Sequence, residues 1–444
     1  MLNRCLIGMI VWTFIGANVY ADVPYFHDDA GRIVVYHGIN VSNYAKTSPD
    51  HLSWHTKEDF ARLSDWGFNL VRYLVFWEAI EPVEGQYDEA YLDATAERVR
   101  WMEELGIDVL LDLHQDLYCS KYTGNGLPVW TADDDGIPFR MRNPWNLNYV
   151  EPAVVAAYTN LWQSAPLKAK YVAMLEHLMR RVEGLPNVAG IDVMNEPFPA
   201  WDFRFEREVL SPLYQDMLDM RARNGFQTPL FFEPEMFTSA GLSTGLKFAP
   251  PPDCGYAPHY YDPLCHEGVP YTRLAKCWMK VTVWQRIRDA ERLGMPILFG
   301  EFGVDSSKEG HLDLLGDFLD LADAHRMSWA YYSYDKASHE TFSITDDDGN
   351  EKPQLTRLVR VYAQRIAGER PEFQFGKASF RLDYDSIDTP APTIVFVPAH
   401  YREVQVEFNG HAVPFAPGTR SLELPNEGKT GTRQTLQLKW ESGR

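Results

Sequence analysis

Between Gly31 and Ile366, short β-branched or apolar runs alternate with longer helical patterns, and this alternation restricts the chain to few folds. Residues 33–39, 70–75, 108–113, 189–193, 230–232, 256–259, 297–299 and 329–332 predict eight strands. Helical spacing occupies residues 57–66, 91–105, 169–182, 204–221, 271–293 and 311–324. Eight strands alternating with helices predict the α/β class and a (β/α)8 TIM barrel, although a doubly wound open sheet has the same alternation. Such barrels take about 250 residues, so insertions are expected at 119–149, 197–207 and 237–254. All three follow strands, which puts them on the catalytic face.

The composition shifts after Ile366. Residues 367–371 read as a linker, and 379–384, 393–397, 403–408 and 435–440 as short alternating strands. The expected organisation is a catalytic barrel over 22–366 and a small C-terminal antiparallel β-sandwich over 367–444. At the other end, Arg4, an apolar run over 5–15 and Val19-Tyr20-Ala21 form a secretory signal pattern over 1–21, so the expected location is secreted or periplasmic. The apolar run is shorter than the ~20 residues a membrane span needs. Loss of Cys5 leaves Cys119, Cys254, Cys265 and Cys277, which in an oxidising compartment predict two disulfides with three connectivities open.

The formal net charge of −20 argues against nucleic acid or an anionic membrane as the default partner. The 14% of aromatic residues suits sugar or lipid contacts, but most of these rings are expected in the core.

The informative polar residues fall at strand ends: Arg72 in the second strand, His114 after the third, Asn195 and Glu196 after the fourth, His259, Tyr260 and Tyr261 after the sixth, Glu301 after the seventh. In a barrel these ends converge. Two carboxyls facing one pocket are what glycosidic cleavage requires, one to protonate the departing oxygen and one to attack the anomeric carbon or activate water. Asn-Glu-Pro and Gly-Glu-Phe-Gly are each ordinary turn sequences. Their joint placement with Arg72 and His114 outweighs that reading.

Asp192-Val193-Met194-Asn195-Glu196-Pro197 and Phe299-Gly300-Glu301-Phe302-Gly303 resemble the acid/base and nucleophile motifs of glycoside hydrolase family 5. Finer segments resemble its endoglycoceramidase and glycosylceramidase branch: His37-Gly38-Ile39-Asn40-Val41 with Lys46 beyond, Leu113-His114-Gln115-Asp116-Leu117-Tyr118, and Thr123-Gly124-Asn125-Gly126-Leu127-Pro128-Val129-Trp130. The resemblance implies a retaining mechanism without cofactor or metal, with Glu196 as acid/base and Glu301 as nucleophile. It implies that Asn195 holds the sugar 2-hydroxyl, that Arg72 and Tyr261 orient Glu301 and keep it ionised, and that Lys46, His114 and Asp116 bind sugar hydroxyls. His259 lines the sixth strand and Trp145 is a further sugar contact. One departure stands out: the family usually has a Trp platform at the end of strand eight, where this chain aligns Tyr332, with Trp329 available in a shifted register.

Other features carry blander readings. Glu233 and Glu235 stand two residues apart on one strand and cannot flank a glycosidic bond, so they read as supporting or rim residues. His51 and His55 have i,i+4 spacing without a third ligand and read as surface histidines. Residues 346–350 read as a solvated turn, and Asn40-Val41-Ser42 as an acceptor sequence too close to a strand end to be glycosylated.

The expected activity is hydrolysis of the β-glucosyl bond to ceramide in a glycosphingolipid, releasing either the whole glycan or a single glucose. The alternatives are a secreted endo-β-glucanase-type hydrolase and a non-catalytic glycolipid-binding protein. A ceramide enzyme needs apolar surface on the aglycone side, for which Phe198, Trp201, Phe237, Leu242, Leu246 and Phe248 are candidates, although such residues equally form the loops' own cores. Transient contact with a membrane surface fits this substrate; the oligomeric state is left open.

Overall fold

The computed structural model describes residues 23–416, 418–426 and 430–441, so the expected signal peptide lies outside the described residues. Eight parallel strands form the central sheet: β1 (His37–Val41), β2 (Leu70–Val75), β3 (Asp108–Leu113), β4 (Val188–Asp192), β5 (Leu230–Phe232), β6 (Gly255–Tyr256), β7 (Leu298–Phe299) and β8 (Ser328–Tyr331). Neighbours in sequence are neighbours in the sheet from β1 to β6, β8 pairs with both β1 and β7, and a parallel bridge between Tyr256 and Ile297 closes the ring. The open-sheet alternative is thereby excluded.

Strand periodicity sorts the side chains into an outer and an inner set. Outward residues such as Val71, Tyr73, Val109, Leu111, Ile191 and Phe232 join the main core under the helices. Inward residues Leu70, Leu110, Phe231, Ala257 and Leu298 pack with Val34 and Tyr36 as a dry lower plug. Two residues further along, the inward positions are Arg72, Asp112, Asp192, Glu233 and His259, all buried. The barrel interior thus changes from hydrocarbon to charge within one side-chain layer.

The helix Lys57–Trp66 shows how local sequence sets an element. Thr56 accepts from the Asp59 N–H and the Asp59 carboxylate accepts from the Thr56 N–H, a reciprocal cap. Gly67 ends the helix at φ 85°, and a Cβ there would overlap the Phe396 ring, so the position needs glycine twice over. The segment expected as one helix over 204–221 is a π-turn, Glu206–Leu210, running into the α-helix Ser211–Asn224.

The C-terminal unit is a sandwich of two five-stranded antiparallel sheets. One contains Gly368–Gly376, Ser379–Ser386, Arg433–Glu441, Arg402–Phe408 and His411–Val413; the other contains Phe26–His27, Ile33–Val34, Tyr362–Ile366, Thr393–Phe396 and Ser421–Leu424. Three strands of the second sheet therefore precede residue 367. Residues 367–371 are not a free linker. Ala367 and Pro371 are buried, Gly368 starts a strand, and a bulge between Glu369 and Glu372 accommodates the proline, which lacks a ladder N–H. The Tyr362 ring stacks on His37 and its hydroxyl donates to the Gly67 carbonyl, joining sandwich to barrel.

Two further expectations are corrected. Cys119, Cys254, Cys265 and Cys277 are all free, and burial pushes the first three thiols up to about 12, which leaves them unreactive. His55 is not a surface residue: it is buried against Trp54, Phe60 and Tyr334, and burial lowers its pKa to about 4.

Candidate active site

Arg72 organises the upper barrel layer. Its Nη1 donates to Glu301 Oε1 at 2.6 Å and Asn40 Oδ1 at 2.9 Å, and its Nη2 to Glu233 Oε1 at 2.8 Å and Asn195 Oδ1 at 3.0 Å. Asp112 and Asp192 pair with Nη2, each at 3.0 Å. A planar guanidinium presents a fixed fork of donors, which is why one arginine can serve so many acceptors. Asn40 in turn donates to the Gly300 carbonyl at 2.9 Å, holding the residue before Glu301, and it is fully buried, in keeping with no glycosylation.

Glu301 follows β7 and Glu196 follows β4. One carboxylate oxygen of each, together with a His259 ring nitrogen, lies within 4.8 Å of the others. His259 Nδ1 is 2.9 Å from Glu196 Oε1 and 3.8 Å from Glu301 Oε2, and the Tyr261 hydroxyl donates to Glu301 Oε2 at 3.0 Å. The Glu196 backbone is left-handed, with φ 41° in a residue that is not glycine. Two buried neighbours hold it there. Gln115 Nε2 donates to the carbonyls of Asn195 at 2.8 Å and Glu196 at 3.0 Å, while Glu233 Oε2 accepts the Glu196 N–H at 2.8 Å.

The environment drives the two carboxyls apart. Burial raises the pKa of Glu196, and the charge of Glu301 adds to this against the opposing His259. Burial acts in the same sense on Glu301, but His259, Arg72, His114 and Lys46 outweigh it and pull its pKa below the ordinary glutamate value. The two carboxyls are thus biased in opposite directions, Glu196 toward its protonated form and Glu301 toward its ionised form, the division of labour that acid and nucleophile need. His259 itself is raised: Glu233 and Glu301 outweigh its burial.

A second group forms the wall beyond Glu301. Lys46 Nζ donates to Asp116 Oδ2 at 2.8 Å and lies 5.0 Å from the Tyr332 ring centre. His114 spans Asp112 at 2.6 Å and Asp116 at 3.2 Å. Tyr332 donates to Asn43 Oδ1 at 2.9 Å. Trp329 is fully buried, stacked on His37 and edge-on to Phe302, so Tyr332 is the aromatic residue in this wall. The 123–130 motif has a structural reason: Asn125 and Asp116 exchange backbone hydrogen bonds, and a Cβ on Gly124 or Gly126 would strike the 114–117 backbone.

Trp145 stands apart from this group. It lies half-exposed on the loop rim, edge-on to Tyr149, with its Nε1 near the Thr123 carbonyl. Of the apolar loop candidates, Phe198 and Leu246 are fully buried, and Phe248 packs on Tyr214 and Phe232. Trp201 stacks on Phe237 at 5.4 Å and stays half-exposed, and Leu242, further along the same loop as Phe237, is exposed too, so these three present apolar surface.

Asp112, Asp192 and Glu233 are close enough together to hold a cation, as are two sets that include Glu301. The Arg72 guanidinium already contacts all four carboxylates. It offsets their charge as a fixed organic cation, while Asp112 Oδ1 and Asp192 Oδ1 remain without a hydrogen bond among the described residues.

A closed barrel with an unlike carboxyl pair at its C-terminal mouth defines a glycoside hydrolase. Residues 28–338 match the model of the Cellulase family (glycosyl hydrolase family 5), and the chain belongs to that family. It is 30% identical to endoglycoceramidase I of Rhodococcus hoagii over 93% of this chain and 86% of that one. It is 25% identical to the endoglycoceramidase of Cyanea nozakii, over 82% and 79% of the two chains. The solved structure of endo-glycoceramidase II from Rhodococcus sp. in its ganglioside GM3 complex superposes with a TM-score of 0.86 at 27% identity, covering 95% of this chain and all of that one.

Proposed function

We propose that the protein is an exported, retaining endoglycoceramidase-type hydrolase that cuts the β-glucosyl bond between the sugar headgroup and ceramide of a glycosphingolipid. The observation that carries the mechanism is the approach of one carboxylate oxygen of Glu196 to one of Glu301 within 4.8 Å, too close for the wide spacing of an inverting pair. A retaining pair stands about 5–5.5 Å apart, whereas an inverting pair needs roughly 6.5–9.5 Å to admit a water. Glu301 attacks the anomeric carbon as Glu196 protonates the departing ceramide oxygen, giving a glycosyl-enzyme. Glu196, now ionised, takes a proton from water, whose oxygen displaces Glu301 and restores both groups. Glu196 is the more accessible of the two, with 18% of its side chain exposed against 7% for Glu301, as a residue that meets both leaving group and water should be.

Within this reading Lys46, His114, Asp116 and Tyr332 bind sugar hydroxyls and the sugar face. Asn195 keeps one amide N–H for the 2-hydroxyl after giving the other to the Gln115 carbonyl. Trp145 meets a more distant sugar unit at the rim. Trp201, Phe237 and Leu242 face the hydrocarbon. Similarity to endoglycoceramidases over most of the chain favours release of the intact glycan, and the apolar run near the N-terminus supports export. The test is incubation with glucosylceramide, lactosylceramide, a ganglioside and a soluble β-glucan. Intact disaccharide from lactosylceramide is expected; preferential cleavage of the glucan overturns the substrate assignment.

A further inference from the structure

The helix Arg273–Leu293 runs alongside the catalytic-face loop that follows β5: Gly241 closely approaches the Trp278 ring, and Arg286 donates to the Thr238 and Leu242 carbonyls. Its inner face packs through Ala275, Met279, Val283 and Ile287. Its outer face is apolar as well. Leu274 is 79% exposed, Trp278 47% and Val281 49%, at helical spacing that draws one stripe, and Leu242 at 59% extends the stripe onto the loop. A surface helix normally turns charge outward here, and a contiguous exposed apolar patch marks a contact surface.

The charge on this helix departs from that of the chain. From Arg273 to Arg288 the basic residues are Arg273, Lys276, Lys280, Arg286 and Arg288, with no acidic residue before Asp289, in a protein of net charge −20. Lys276 pairs with Asp317, the fully buried Arg286 with Asp289 and Arg288 with Glu291, whereas Arg273 and Lys280 make no ion pair among the described residues. Aromatic and aliphatic side chains flanked by unpaired cations suit the headgroup boundary of a bilayer carrying anionic lipid. A second copy fits poorly, because an isologous contact would bring these cations face to face. No helix among the described residues is long and apolar enough to cross a membrane.

We propose that this face docks the enzyme on a lipid bilayer and directs the mouth beside Leu242 and Trp201 toward membrane-held substrate. The idea deepens the glycosphingolipid reading and rests on it for its purpose, but vesicle binding tests it separately. Wild type, a Leu274→Ser/Val281→Ser variant that leaves Trp278 in place, and an Arg273→Glu/Lys280→Glu variant are sedimented with phosphatidylcholine vesicles with and without phosphatidylserine, all free of glycolipid. Wild type is expected to bind and to respond to phosphatidylserine; the apolar variant to bind about tenfold more weakly, and the charge variant to lose the phosphatidylserine response. Both variants should hydrolyse vesicle-held lactosylceramide more slowly while matching wild type in detergent micelles. Equal vesicle binding by all three proteins, or a wild-type dimer that the apolar variant dissociates, overturns the proposal. Failure to cut lactosylceramide in vesicles and micelles alike counts against the substrate reading and leaves the vesicle result to decide the surface.

Discussion

Glu233 accepts the backbone N–H of Glu196 on one carboxylate oxygen and an Arg72 N–H on the other, each at 2.8 Å. Since Arg72 also grips Glu301, this buried residue links the two reacting carboxyls through three hydrogen bonds. Glu233→Gln keeps the shape but exchanges an acceptor for a donor. We expect kcat to fall roughly 10- to 100-fold with KM little changed, the signature of misplacement rather than lost binding. Steady-state kinetics on an aryl glycoside separates the two.

Glu196→Ala should cost roughly 10²–10⁴-fold on a glycolipid with a poor leaving group and much less on an activated aryl glycoside, which departs without a proton. Azide should accelerate this variant and yield a glycosyl azide of retained configuration. Glu301→Gln should be nearly inactive on both substrates, and azide should give no retained product. Equal losses for both variants on every substrate would reverse the role assignment.

The pH profile follows from the opposed shifts. Activity needs Glu301 ionised, so it rises as pH climbs through a pKa held below the usual glutamate value, and it needs Glu196 protonated, so it falls as pH passes a pKa raised above that value. The profile of kcat/KM should be a bell whose limbs belong to the coupled pair. Glu196→Gln should abolish the alkaline limb on an activated substrate; a limb that persists there belongs to another group.

Arg72→Met should leave Asp112, Asp192, Glu233 and Glu301 facing one another without their shared cation. Removing one partner from a buried ion pair typically costs about 3–5 kcal/mol. Thermal denaturation should show the loss as a clear fall in Tm. Any residual activity should have its acid limb displaced upward, because Arg72 helps keep Glu301 ionised. An unchanged acid limb would remove Arg72 from that role.

Much of this site is legible in the chain because barrel strands bring distant motifs to one mouth. Glu196, Glu301, Arg72 and Tyr261 assemble as their positions at strand ends imply. Asp112, and Gln115 as the clamp on the Glu196 turn, carry a weaker signal. Each is a polar residue in or just after an apolar run, and the inward face of β2 and β3 appears only when register is known. Glu233 belongs to the same layer, and its bond to the Glu196 N–H is a product of tertiary approach alone. The loop aromatics fail for a different reason. Phe198 and Trp201 are three residues apart, yet one is sealed and the other exposed, and composition cannot tell them apart. The strand at Gly368–Gly376 is hidden because it opens on a glycine and bulges at Arg370 and Pro371, a sequence that resembles punctuation.

The pairing of Ile33 with Ile366, four residues before β1 begins, makes the sandwich something other than an appendage. The opening and closing stretches of the barrel chain are stitched to each other in a sheet that residues 393–396 and 421–424 complete. A protease nick or stop codon near 367 would therefore unpick the hem from which β1, with Asn40, is suspended. The two units should melt in a single calorimetric transition, and a shortened chain should be recovered as an aggregate. For anyone recombining such enzymes, the natural cut between catalytic and accessory parts does not exist here, and the piece to exchange is the whole polypeptide.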